Sequence, residues 1–469
     1  MRALFVSLYA DTPHFETELE LIADLLEGGH DVTVLRCTGQ LASCLKNPAH
    51  KRYVCQECSS KIDAGLRTLP HVRVEVMRDI APDPRLPQHF ASADELKAYA
   101  LDGAELGRGV YSTVCGHAFK DPTFDTRRWA ATIRTELDAA YTVYANTLEA
   151  IAKHRADRVY VFNGRFATTH AAIVAAQQAG IAYSTHERGG MPTRYLLRDR
   201  ALPHDLALNT AEMETVWAEG SADKETVARR WFLERRNGVE RAWPSFTKAQ
   251  TVGLLPPNFD AKKHNIAVFN STMEEYASLA QWRSPIYEDE VIGLARITRD
   301  LASRPNTHVY LRVHPHLKHI PRDDNYQLRG YAELERTVPN LTVIWPESPI
   351  HTYELVDRCT IALTFGSTVG AEACFWGTPS VLAGHALYEK LDCAHIPRDH
   401  DGVMKLLTSV PDAKPQIGAM KYGYWETMRG LPYRRFRSTG LFTGDWMGAP
   451  VKPSLPVRLQ CALMTRLGR

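Results

Sequence analysis

Apolar residues in this chain recur with two different spacings. Strand-like runs stand at 3–10 (ALFVSLYA), 30–37 (HDVTVLRC), 71–77 (HVRVEVM), 157–165 (DRVYVFNGR) and 181–189 (IAYSTHERG). Between them, helical spacing covers 16–29, about 129–154 and 169–180. The alternation resumes at 264–272 (HNIAVFNST), 309–315 (VYLRVHP), 341–346 (LTVIWP), 360–365 (TIALTF) and 379–384 (PSVLAG), with a helix predicted over 289–303. Strands alternating with amphipathic helices predict parallel β/α units. The pattern lapses into a largely helical segment over 206–250, and GLLPPNFDAKKH (253–264), rich in Pro and polar residues, marks a boundary. The expected organisation is α/β with two Rossmann-like domains, 1–255 and 256–430, followed by a tail at 431–469. The helical segment is assigned to the first domain.

With 469 residues the chain exceeds one ordinary core, which agrees with two domains. Lys+Arg number 56 and Asp+Glu 54, so nothing in the charge calls for nucleic acid. No apolar run approaches the roughly 20 residues of a membrane span. The opening MRALFVSLYADTPHF has no small-residue cleavage site and reads as a first strand. A cytoplasmic location is expected, and with it nine cysteines that are not a disulfide framework. Four of them, Cys37, Cys44, Cys55 and Cys58, fall in one polar loop and end in a C-x-x-C pair. That spacing predicts a structural zinc site, with iron–sulfur as a weaker option and His50 as a substitute ligand. No catalytic metal is expected.

Ligands of open parallel sheets sit beyond the carboxyl ends of the strands. In the first half those ends carry Asp11, His14, Asn163, Arg165, Glu187 and Arg188. In the second they carry Asn270, Ser271, Thr272, Arg312, His314, Pro315, Gly366, Ser367 and Thr368. The stretch LTFGSTVGAEACFWGTPSVLAG (363–384) stops a buried strand at Gly366 and starts a helix with Ser367 and Thr368 as caps. Free N–H groups there would meet a phosphate, and Glu372 one turn on would reach a ribose hydroxyl. In YLRVHPHL (310–317) a strand ends by presenting His314 in front of Pro315, which cannot continue the ladder.

These elements, RVHP and then PESPIHTYELVDRCTIALTFGSTVGAEACFWGTPSVL, resemble the nucleotide-binding half of GT-B glycosyltransferases of bacterial surface and capsular polysaccharide synthesis. The resemblance is to ulosonic-acid transferases and to bacterial sialyltransferases with a His-Pro motif, and it covers about 265–396 well. It implies two Rossmann-like domains facing a cleft, and a tail that packs back on the first. It implies that His314, Ser367 and Thr368 contact the donor phosphate. The tripeptide ERG at 187–189 is similar to the acidic-acidic-Gly motif whose carboxylate is the base in sialyltransferases, but Arg188 replaces the second acid. Glu187 is accordingly expected as the base, and Asp11, His14, Asn163, Arg165 and Arg188 as contacts to acceptor or donor sugar. The activity implied is inverting transfer of a sugar, such as Kdo or a sialic acid, to a surface glycan or glycolipid. A CMP-linked donor is favoured over UDP or CDP. Two alternatives stay open: a nonhydrolysing sugar-nucleotide epimerase, and a non-catalytic GT-B-like assembly protein. The basic, partly amphipathic tail PVRLQCALMTRLGR (456–469) is read as packing on the first domain, with contact to the inner face of a membrane as the other option.

Overall fold

The structure is a computed structural model, and it describes residues 1–466. The chain divides into two compact units. Unit 1 comprises Met1–His117, Thr123–Pro203 and the stretch from Arg429 onward; unit 2 comprises Ala118–Pro122 and His204–Met428.

In unit 1, β1 (Arg2–Ser7), β2 (Asp31–Arg36), β3 (Arg73–Val76), β4 (Arg158–Phe162) and β5 (Ala182–Arg188) pair in parallel in the order 3-2-1-4-5. This is the Rossmann order, with its switch point between β1 and β4. β1, β2 and β4 are buried along nearly their whole length, whereas β3 at the sheet edge is mostly exposed. Phe5, Val34, Phe15, Leu19 and Ile22 meet in one core cluster. An antiparallel strand, β6 (Arg194–Asp199), extends the sheet beside β5.

Unit 2 repeats the design. β7 (His264–Phe269), β8 (Thr307–Arg312), β9 (Leu341–Ile344), β10 (Ile361–Thr364) and β11 (Ser380–Leu382) are all parallel, in spatial order β9-β8-β7-β10-β11. The helical segment placed by sequence in the first domain belongs here instead. The helices Leu206–Ala218 and Lys224–Arg236 bury Met213, Ala228 and Phe232 against Phe375 and Trp425 of unit 2. Phe232 stacks on Phe375 with ring centroids 4.0 Å apart. The boundary therefore lies at 203/204, not near 255. A Pro-rich loop marks irregular backbone, but burial of an apolar face decides which core a helix joins.

The chain then returns to unit 1. β12 (Leu431–Pro432) pairs with β6, and β13 (Phe436–Gly440) forms a hairpin with β14 (Thr443–Trp446). Glu20, fully buried, accepts the N–H groups of Arg434, Arg435 and Phe436 and an ion pair from Arg435 at 2.8 Å. The final helix, Leu455–Arg466, lies on the helix Arg52–Leu66. The last three tail residues of the sequence reading, 467–469, lie outside the described residues.

Candidate functional site

In unit 2 the carboxyl ends of β7, β8 and β10 bring several expected residues together. The buried Asn270 accepts the His314 N–H with its Oδ1 at 2.7 Å, which fixes the backbone where β8 stops. His314 Nδ1 in turn accepts the His316 N–H at 3.1 Å. The imidazole proton is therefore on Nε2. Burial lowers His314 to about 3, and the charges of His316, Lys120, Arg235 and Arg312 act in the same direction. The ring is neutral and sits in a field of cations. Phe246 packs edge-on against it, with centroids 5.0 Å apart. Pro315 opens a short 3-10 turn, Pro315–Leu317, so the strand ends as its sequence requires.

Gly366 lies close to Ser271: a side-chain carbon on Gly366 would come within 3.6 Å of the Ser271 hydroxyl and 3.0 Å of the His385 carbonyl. Ser367 caps Val369 loosely at 3.4 Å, and its carbonyl accepts from Tyr388 at 2.7 Å. Several of the expected donor contacts have protein partners. Glu372, expected to reach a ribose hydroxyl, is one of them. Its carboxylate is buried and filled by Tyr353, by Thr368 at 2.9 Å and by Arg235 at 3.2 Å. Arg312 is buried and donates to the Trp345 and Ser348 carbonyls, so it buttresses that loop. Burial brings its pKa down to about 10. The Ser271 hydroxyl donates to Glu290 at 3.0 Å, and Thr272 is buried.

Arg235 and Lys120 were not foreseen. Arg235 is three residues after Phe232 on one helix, as Phe375 is three after Glu372 on another, so the ring stack and the ion pair form together. Lys120 comes from the short piece Ala118–Pro122 and donates to the His316 carbonyl at 3.1 Å. No local motif announces either one.

In unit 1 a cavity of about 530 Å³ opens beyond β1 and β4, and Tyr9, Asp11, His14, Lys46, Lys61, Phe162 and Arg188 are among its walls. Lys46 pairs with Asp11 at 2.5 Å and Lys61 with Glu16 at 3.0 Å. His14 stacks on Phe162 with centroids 4.2 Å apart, and its Nδ1 stands 3.5 Å from Glu187 Oε1. Burial pulls His14 down to about 4 despite the Glu187 charge, which acts the other way. Glu187 lies within β5 rather than after it, and does not line the cavity. Asn163 Nδ2 donates to its Oε2 at 2.8 Å and the Arg188 N–H to its Oε1 at 2.9 Å. Asn163 can do so because the Asn163-Gly164 turn is left-handed, with φ of 55° and 82°. Arg188 reaches the Leu441 carbonyl and lies over the Phe442 ring. Arg165 lies over the Phe166 ring, and its backbone N–H donates to Asn163 Oδ1 at 3.1 Å. Asp11, His14, Asn163, Glu187 and Arg188 thus share one neighbourhood, and the Arg165 backbone adjoins it through Asn163.

The four cysteines are near neighbours, since Cys37 feels the charge of Cys55, Cys44 that of Cys37 and Cys58, and Cys58 that of Cys37. They are not arranged as ligands. Among the described residues no three His, Cys, Asp or Glu side chains are grouped so that they could hold a metal ion. The Cys37 sulfur accepts from the Gly39 N–H, that of Cys55 from Asn47, and His50 is engaged with the Leu41 carbonyl. The C-x-x-C pair lies on the helix Arg52–Leu66 rather than on the turn of a zinc knuckle. The zinc and iron–sulfur readings accordingly receive no support.

No protein-family model matches this chain, and no curated protein matches it by sequence. Among solved structures the chain is similar to KpsC of Thermosulfurimonas dismutans, as the beta Kdo 2,4 transferase (13% identity, 57% of this chain and 79% of that one, TM-score 0.36). It is similar to the beta Kdo 2,7 transferase of the same KpsC (12% identity, 69% and 90%, TM-score 0.36). It is also similar to the UDP-GlcNAc 2-epimerase of Neisseria meningitidis bound to UDP-GlcNAc (12% identity, 100% and 100%, TM-score 0.30). At these TM-scores none of them bears on the activity of this chain, whose two Rossmann-like α/β units rest on their own strand orders.

Proposed function

We propose that this chain is an inverting glycosyltransferase of the GT-B type, using a nucleotide-activated sugar and a glycan or glycolipid acceptor. Unit 2 holds the nucleotide of the donor, and unit 1 holds and activates the acceptor. The observation that carries the reading is His314: a neutral imidazole with its proton on Nε2, among Lys120, Arg235 and Arg312, at the carboxyl edge of a Rossmann-order sheet. Such a group donates a hydrogen bond to a departing phosphate oxygen, and the cations around it favour the charge that develops there.

On the acceptor side the proton goes to His14. In the tautomer with its proton on Nδ1, the nitrogen 3.5 Å from Glu187 Oε1, His14 leaves Nε2 able to accept. The acceptor oxygen forms the new bond to the anomeric carbon. The bond from that carbon to phosphate breaks with its electron pair on the phosphate oxygen. The acceptor proton moves to His14, and Glu187, held by Asn163 and the Arg188 N–H, steadies the imidazolium. An ulosonic acid delivered from CMP remains the favoured donor, as the resemblance of the His-Pro element implies.

The test is a panel of CMP-, UDP- and CDP-sugars with oligosaccharide acceptors, read by mass spectrometry. Transfer product with stoichiometric release of nucleotide is expected. Isomerised nucleotide sugar without any acceptor would assign the chain to epimerases. Calorimetric binding of a nucleotide with neither product would make it a non-catalytic assembly protein.

A further inference from the structure

The helix Leu455–Arg466 has two apolar faces, and only one is used. Val457, Cys461 and Met464, at i, i+4 and i+7, turn toward unit 1. Cys461 is buried with its sulfur 3.4 Å from the Tyr53 carbonyl, and Met464 shares a groove with Tyr53. That spacing is enough to dock a three-turn helix. Leu455, Leu459 and Leu463, at i, i+4 and i+8, line up on the other side and are 63%, 64% and 58% exposed. Leucines so placed do nothing for the docking of the helix, and a stripe of three is not the scatter of single apolar residues normal on a surface.

The exposed charges of the helix itself are all positive, while the partly buried Glu57 lies near Cys461 on the docked side. Arg458 and Arg466 are exposed on the same helix and Lys452 just before it, and Lys51 and Arg52 are exposed at the groove that Met464 enters. From Trp446 to Arg466 there is no Asp or Glu. Two copies of such a helix would repel, whereas an anionic lipid surface would be attracted by the arginines and would solvate the leucines. Among the described residues no helix is long and apolar enough to cross a membrane, so an attachment made by this helix would be interfacial. We infer that the helix Leu455–Arg466 is an anchor for anionic lipid surfaces, with Leu455, Leu459 and Leu463 entering the headgroup–acyl boundary and Arg458 and Arg466 meeting lipid phosphates. This stands independently of the catalytic reading.

The experiment is co-sedimentation of the full chain with phosphatidylcholine vesicles, with and without phosphatidylglycerol. Binding at least about tenfold tighter to the anionic vesicles, and weakened by salt, is expected. The Leu459→Asp/Leu463→Asp variant should lose at least about tenfold in affinity while keeping its melting temperature. Arg458→Glu/Arg466→Glu should lose the preference for phosphatidylglycerol. No sedimentation of the wild type with anionic vesicles overturns the inference, and so does unchanged binding by the leucine variant. A concentration-dependent dimer abolished by that variant, without vesicle binding, overturns it too and gives the stripe to a second copy.

Discussion

His14 follows the first strand of one sheet and His314 the second strand of another with the same strand order, and their surroundings have opposite character. Each stands beyond a strand end in its unit, and burial keeps each neutral, at about 4 for His14 and about 3 for His314. His14 is backed by a carboxylate, Glu187, itself pinned by an amide and a backbone N–H. His314 is backed by a backbone N–H and flanked by Lys120, Arg235 and Arg312. A carboxylate stabilises an imidazolium, so the first ring is suited to take a proton. A ring of cations opposes imidazolium and attracts anions, so the second is suited to meet a phosphate. One sheet design thus carries two histidine sites of opposite electrostatic character, and the difference lies in which charges the flanking elements bring up.

The largest expected effect is on the first histidine. Glu187→Gln keeps the shape and removes the charge that raises His14, so transfer should fall by roughly 10²–10⁴-fold while nucleotide affinity, measured by calorimetry, stays unchanged. His14→Ala should fall by as much, and the double variant little further if the two act as one unit. Wild-type transfer by Glu187→Gln would end the proton-acceptor assignment.

His314→Ala should lower turnover by about 10²–10³-fold, the size of one lost donor to a developing oxyanion. Here nucleotide affinity should weaken as well, which separates the two histidines experimentally. The acid limb of kcat/KM carries the sign of both shifts. Both rings are depressed below the ordinary imidazole range of about 6.5, so activity should hold as pH falls through 6 and be lost only toward about 4, when His14 takes up a proton. A limb near 6.5 would contradict the burial of both.

Arg235→Met should cost about 1–3 kcal/mol in urea unfolding, because Glu372 would stay buried with Tyr353 and Thr368 but no cation. Adding Glu372→Gln should recover part of the loss, and a cycle of the two measures their coupling. Loss of nucleotide affinity from Arg235→Met beyond the stability change would confirm that its charge reaches the His314 site.

The smallest effect concerns Glu290, which contrasts with Glu187. It is buried, bonded to Ser271 and to Tyr331 at 2.8 Å, and burial raises it to about 7. A carboxyl with a folded pKa above its unfolded value stabilises below the unfolded pKa, near 4.5. That contribution is lost as pH rises through about 7. The melting temperature should therefore decline by a few degrees between pH 5 and 8, and Glu290→Gln should flatten the decline.

The β/α alternation alone places ten strands, and with them the ends beyond which His14 and His314 stand. Side chains alternate or run apolar along a strand for reasons local to it, so the pattern can be read in one pass. The antiparallel β6 escaped because its pairing partner is chosen by a tight turn at Gly189, where a side-chain carbon would strike Arg194 at 2.8 Å. The zinc reading is without support for a related reason: spacing says which thiols are near in sequence, while helix formation over 52–66 decides where the sulfurs of Cys55 and Cys58 point.

What residues 310–317 and 363–384 specified alone was a strand that must stop at Pro315 and a turn that must pass Gly366, because proline lacks an N–H and glycine lacks a side chain. The partners were decided elsewhere. Glu372 was free in sequence until Arg235, 137 residues earlier, reached it. His14 gained a carboxylate neighbour only when β5 carried Glu187 beside it across 173 residues of chain. Charges separated so far in sequence have no local signature, and only the burial of Phe232 on Phe375 and of β1 beside β4 and β5 brings them within reach.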